Sequence, residues 1–257
     1  MLTYDINVLP FSLPGSYLTI GQNRNESQRL VYRTCSQRAI TQRGWDFWSR
    51  DFFELALLRD GVEVPYTYAA QPHRLDLQAE GGSATFVFAD PQTICFETQG
   101  VTLRLAPCKP FSTCYAGGPH LLCLVDGFGR GHHQLRGDAA LPGATIASGA
   151  AIGASHRSGL PYQVDFAGAG GALRFSRYED RFADPPPAFD ALLATRERAW
   201  QAWLAQLPPV PAPYRATAEQ AWYMLWSAEV APSGPLTRPT ILMSKYWMNS
   251  TSGSSAG

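Results

Sequence analysis

The chain has 257 residues, 45% hydrophobic and 12% aromatic, which is ample for a packed core and excludes wholesale disorder. Only 16% are charged, and 21 Lys plus Arg balance 21 Asp plus Glu. With no net charge there is no field to gather phosphate or anionic lipid, so neither nucleic acid nor a membrane is expected as a partner.

The five cysteines, Cys35, Cys95, Cys108, Cys114 and Cys123, are odd in number and contain no CxxC pair. That argues against a disulfide framework and a structural zinc site, and for reduced, mostly buried thiols. The start of the chain has neither the basic nor the apolar stretch of a secretory signal. No run approaches the roughly 18 apolar residues that a membrane span needs. The expectation is a soluble, cytoplasmic protein that needs no cofactor.

From about residue 15 to 182 the pattern is that of strands. Phe52 to Leu58 runs into Asp60-Gly61 and then Val62-Glu63-Val64, which reads as a hairpin. Thr85–Phe88, Thr93–Glu97 and Val101–Leu105 are short β-prone runs separated by Asp90-Pro91 and Gln99-Gly100, both turn chemistry. Further runs fall at 121–126, 133–136, 162–166 and 172–178. Short strands at this spacing, with no long helix between them, predict an antiparallel sandwich rather than a βαβ fold. Residues 137–161 are rich in Gly, Ala and Ser and carry no clear pattern.

The character changes at Asp184-Pro185-Pro186-Pro187, a semi-rigid spacer. Phe189, Leu192, Leu193, Trp200, Trp203, Leu204 and Leu207 then share a helical face, which ends at Pro208-Pro209. A second helix is predicted over 216–230, with Ala218, Ala221, Trp222, Leu225 and Trp226 on its apolar side. The Trp residues on both stripes read as core.

Nucleotide chemistry has no foothold: there is no GxxxxGK[ST], and no GxGxxG between a strand and a helix. Gly127-Phe128-Gly129-Arg130-Gly131 reads as a turn between strands, because no helix start follows it. His132-His133 point to opposite faces of a strand, with no third ligand in sight. Asp46, Asp51 and Glu54 lie in a tryptophan-rich stretch suggestive of a sugar-cleaving site, but a glycosidase needs two carboxylates set across a bond, which proximity in sequence does not supply. Solvated acids on the outer face of a strand are the plainer reading. Glu179-Asp180 reads likewise, as a solvated boundary. No GxSxG elbow occurs.

Three stretches together carry a resemblance. The first is Asn7-Val8-Leu9-Pro10-Phe11-Ser12 with Gly15-Ser16-Tyr17-Leu18. The second is Phe53-Glu54-Leu55 with Asp60–Tyr66, Glu80-Gly81-Gly82 and Gly100–Leu105. The third is Trp222–Trp226 with Arg238-Pro239-Thr240-Ile241-Leu242-Met243-Ser244-Lys245-Tyr246-Trp247-Met248-Asn249. The chain resembles the N-terminal part of bacterial glycosidases related to glycoside hydrolase family 63 and to amylo-α-1,6-glucosidase-type proteins.

The resemblance implies a mainly β chain: an antiparallel β-supersandwich over 1–183, a helical linker over 184–213, and over 214–249 the first helix and opening strand or loop of a six-hairpin (α/α)6 catalytic domain. It also implies inverting hydrolysis of α-linked glucose-containing oligosaccharides or glycosides. In that family the Met-Ser-Lys…Trp-Met-Asn run leads into a Trp-Ser-Trp-Asp segment whose Asp is the general acid, and the base lies far downstream. Here Asn249 is followed by Ser-Thr-Ser-Gly-Ser-Ser-Ala-Gly, whose composition is that of a flexible tail over 250–257. The expectation is therefore a truncated, non-catalytic portion that lacks both carboxylates and whose partner is the missing (α/α)6 domain. Tyr246 and Trp247 would offer flat faces to a pyranose ring, and Lys245 and Asn249 donors to its hydroxyls. A stand-alone carbohydrate-binding or scaffold sandwich is the alternative.

Overall fold

The computed structural model describes residues 2–22, 29–40, 44–108, 113–126, 131–141, 145–146, 162–176, 187–232, 236–242 and 245. In chain order the strands are β1 (Leu18–Gln22), β2 (Leu30–Ile40), β3 (Gly44–Arg59), β4 (Val62–Val64), β5 (Tyr66–Gln71), β6 (Arg74–Ala79), β7 (Gly82–Asp90) and β8 (Thr93–Gln99). They continue as β9 (Thr102–Pro107), β10 (Thr113–Gly118), β11 (Leu121–Asp126), β12 (Gly131–Gly137), β13 (Thr145–Ile146), β14 (Tyr162–Phe166) and β15 (Gly170–Ser176). Two helices follow, α1 (Phe189–Leu204) and α2 (Arg215–Ala228), then a short pair, β16 (Glu229–Val230) and β17 (Thr240–Ile241).

The strands form two large antiparallel sheets. One runs β1-β2-β3-β9-β14-β13, with β4 also on β3; the other runs β10-β11-β12-β15-β8-β7-β6-β5. The protein is thus mainly β, a sandwich followed by a short helical region, as the strand pattern predicts. Period-2 alternation builds the core. Phe53, Leu55, Leu57, Leu103, Leu105, Val164 and Phe166 from the first sheet meet Leu75, Leu77, Phe86, Phe88, Ile94, Phe96, Leu173 and Phe175 from the second. At about 25 cal/mol per Å² of apolar area removed from water, each buried Leu or Phe stabilises the fold by roughly 2 kcal/mol before entropy is counted.

The hairpin expected at Asp60-Gly61 joins β3 to β4, and both residues adopt positive φ, 52° and 79°. β3 is far longer than the Phe52–Leu58 run suggests. Its first part pairs with β2 and its second with β9 and β4, so one strand serves three neighbours along its length.

The helices close the sandwich in two ways. Phe189, Leu192 and Leu193 of α1 pack on Val87, Cys95 and Ala172, which lie on the outer face of the second sheet. One helical stripe is therefore split between two surfaces, because Trp200 joins the main core instead. Arg196 fastens α1 to β7 by donating from Nε to the Phe88 carbonyl at 2.7 Å and from Nη2 to the Ala89 carbonyl.

On α2 the buried residues are Tyr223, Trp226, Ser227 and Ala228, a narrower strip than the predicted face. Ala221 is exposed and Trp222 only half-buried. Trp222 turns instead toward Trp203 of α1, the rings stacked at 5.1 Å. Each indole donates to the other residue's carbonyl, at 2.9 Å and 3.2 Å, so the contact is reciprocal. α2 ends at Ala228 rather than 230, since Glu229 turns extended (φ −65°, ψ 136°) and pairs with Ile241.

Candidate functional site

Two places bring chemistry-bearing residues together. The first is the join between α2 and the C-terminal run. Lys245 is fully buried, and its Nζ donates to the carbonyls of Ser227 at 2.6 Å and Glu229 at 3.0 Å. The Glu229 carbonyl also accepts from the Gly15 amide, and the Gly15 carbonyl accepts from Ala231, so the N-terminal segment is stitched to the same spot. Tyr17 adds a bond from its hydroxyl to the Ala231 carbonyl at 2.6 Å. Burial pulls the Lys245 amine far below its ordinary value, to about 7, with Cys35 and Glu229 pulling weakly the other way.

In this conformation Lys245 satisfies carbonyls at the end of α2, where a helix leaves them without partners, rather than reaching solvent. Tyr246, Trp247 and Asn249, the other residues expected to meet sugar, lie outside the described residues. So do the Gly127–Arg130 loop, Glu179-Asp180 and the tail 250–257, and the side chain of Asp46.

The other carboxylates of the tryptophan-rich stretch are engaged in ion pairs. Asp51 accepts from Arg33 at 2.9 Å, and Glu54 from Arg29 at 2.8 Å. They tie β3 to the chain around β2. His133, far from forming a metal site, is buried between the sheets among Phe52, Tyr32 and Phe175. Among the described residues no group of three His, Cys, Asp or Glu is placed to hold a metal ion.

The second place is a cleft of about 690 Å³ on the outer face of the second sheet, beside the first turn of α1. Its lining includes Glu97, Gln99, His120, Arg136, Asp138 and Phe189. The sheet register explains the shape. Glu97 of β8 sits across from Gly170 of β15, and just past the end of β12 the Asp138 amide donates to the Gly170 carbonyl at 3.1 Å. The next outward-facing row is Cys95, Ala172 and Arg136. A glycine thus lies between two acids, and an alanine between a thiol and a guanidinium. The missing side chains leave a trough.

Both acids lean over it: Glu97 Cγ lies 3.5 Å and Asp138 Oδ2 3.9 Å from the point that a Cβ on Gly170 would occupy. Burial, then the charges of Asp190 and Asp138, hold the Glu97 carboxyl above the ordinary value. Beneath the floor, Gly171 is required for a different reason. A Cβ there would meet the Arg136 carbonyl and come within 2.8 Å of the Phe96 ring.

The sequence pattern does not reveal this cleft. Its members come from β8, the end of β12, the start of β15 and α1, which only sheet register brings together. The one local signal is Gly170-Gly171 inside a strand run, a mark of close backbone approach.

No protein-family model matches the chain, and no curated protein matches it either. Among solved structures, a mutant of a glycoside hydrolase family 81 protein from Clostridium thermocellum is similar over 74% of this chain, at 10% identity and a TM-score of 0.43. The chain spans about a quarter of that protein's length, 24%. A likeness this loose carries no argument about activity. No helix of the described residues is long and apolar enough to cross a membrane.

Proposed function

We propose that the chain is the non-catalytic, N-terminal β-sandwich portion of a cytoplasmic glycosidase of the family 63 type. Its partner would be an (α/α)6 domain, and the substrate of the whole an α-linked glucose-containing oligosaccharide or glycoside, hydrolysed with inversion. The reading rests on the three resembling stretches. The observation that supports it best is the order of elements: a two-sheet sandwich, two helices packed back on it, and then Lys245 bonded to the end of α2. Such an anchor would fix where Tyr246, Trp247 and Asn249 begin, which a sugar-contacting segment requires. Lys245 itself then positions the segment and does not contact sugar.

The test compares hydrolysis of maltose- and isomaltose-type substrates by residues 1–257 and by the whole product of the source gene. The expected result is no turnover by 1–257, and turnover with inverted anomeric configuration, seen by NMR, for a longer product. Turnover by 1–257 alone would sink the reading, because it would put acid and base within this chain. A second reading, a carbohydrate-binding module, is favoured by the cleft beside α1, which can hold a ligand without any catalytic group.

A further inference from the structure

The cleft over Gly170 carries a more specific assignment, which rests on the saccharide reading above. We infer that it is a binding site for a single neutral pyranose unit, with Glu97 and Asp138 accepting hydrogen bonds from the sugar's hydroxyls across the glycine trough.

Three observations support it. The volume, about 690 Å³, lies within the range of roughly 300–1,000 Å³ typical of small-ligand sites. The floor is backbone at Gly170, which presents no side chain that would hold a flat ring away from the sheet, with Ala172 buried at its edge under α1 and Phe189 at the wall. The rim carries acceptors facing one another, Glu97 and Asp138, with Arg136 and Gln99 as donors nearby. Alternating acceptors and donors around a thin apolar floor suit a molecule that is apolar on its ring face and hydroxylated at its edge.

The two acids differ in readiness. Asp138 already accepts from the Ala139 amide at 2.7 Å through Oδ1, which holds its other oxygen toward the trough. The Glu97 carboxylate makes no hydrogen bond or ion pair among the described residues and faces Asp138 and Asp190, so a hydroxyl donor would relieve crowding of like charge. An anionic ligand is disfavoured by the same three carboxylates. Lys245, the described member of the expected sugar-contacting run, does not line the cleft.

The experiment is NMR titration of the full chain with glucose, maltose and isomaltose, and in parallel with glucosamine and glucuronate, for the wild type and for Glu97→Ala and Gly170→Val. Expected are saturable shifts with the neutral sugars, centred on residues 95–99, 136–138 and 170–172. Glu97→Ala weakens binding at least tenfold with an unchanged melting temperature, since the side chain is exposed and its carboxylate makes no hydrogen bond or ion pair among the described residues. Gly170→Val fills the trough and removes the shifts. Neutral-sugar binding that leaves these residues unmoved, or that Glu97→Ala leaves intact, overturns the cleft assignment while the saccharide reading stands. Glucosamine binding more than tenfold tighter than glucose overturns the neutral class. No saturable binding of any sugar up to tens of millimolar overturns the cleft assignment and the carbohydrate-binding-module reading, while the glycosidase-portion reading is decided by the hydrolysis assay above.

Discussion

Replacing Lys245 by Met tests whether a fully buried amine shapes the stability of this fold. Methionine keeps the length and apolar stem but cannot donate to the Ser227 and Glu229 carbonyls. In the unfolded chain the amine has its ordinary value of 10.5, and in the fold it is lowered to about 7. The sign follows from that direction. Between these values the unfolded chain holds a proton that the fold does not, so stability rises with pH through this window. The contribution is complete above 10.5 and is lost as pH falls through 7. The slope is at most about 1.4 kcal/mol per pH unit, so between pH 7 and pH 10 the wild type gains up to about 4 kcal/mol that Lys245→Met does not.

The assay is urea unfolding followed by tryptophan fluorescence at pH 7, 8, 9 and 10. Trp200 and Trp226 are buried and will report the transition. Every other titrating group cancels in the difference between the two proteins. Below pH 7 the variant should match or exceed the wild type, because a buried ammonium is costly even when its hydrogen bonds are made. Parallel stability curves for the two proteins across this range would refute the argument. They would mean that the amine keeps its charge inside the fold, or that the segment around it opens before the rest.

Three other perturbations read the packing of the helices and the sheet. Trp203→Phe and Trp222→Phe each remove one of the two reciprocal indole bonds, and each should cost about 1 kcal/mol in urea unfolding, with the double variant departing from additivity because the rings share one contact. Tyr223→Phe deletes a buried hydroxyl that donates to the Pro10 carbonyl at 3.0 Å and shares a 2.6 Å bond with the Tyr4 hydroxyl. About 1–3 kcal/mol should be lost, seen as a lower urea midpoint, since two buried groups are left without that partner. Gly171→Ala forces a methyl against the Phe96 ring and should lower the melting temperature by the equivalent of about 1–3 kcal/mol, while alanine at Gly118, the last residue of β10, meets no atom of the described residues within 4 Å and pays only for its backbone angle.

Much of the architecture was legible in the chain because its signals are local. Alternation at Phe53-Leu55-Leu57, Phe86-Phe88 and Leu103-Leu105 follows from the pleat of a strand, and Asp60-Gly61 from the positive φ that a tight hairpin demands. The start of α1 was legible from its apolar spacing, and its end from the prolines that follow. The split of that stripe was not, since period alone cannot say that Leu192 meets the outer sheet while Trp200 enters the core. Nor could spacing foresee that Tyr223, absent from the predicted face of α2, would be among its most buried residues.

What the sequence by itself determined is the class of fold, two antiparallel sheets and then helices, because hydrophobic period and turn chemistry act over a few residues. Only the tertiary structure decided where charge and empty space would sit. Lys245 reads as a surface donor in a list of residues, and becomes an internal tie once the end of α2 offers it two carbonyls. Glu97, Asp138 and Gly170 are ordinary residues far apart in the chain. Register between β8 and β15, and the bond from Asp138 just past β12, make them neighbours, because hydrogen bonding between segments, and not sequence distance, sets which side chains share a row.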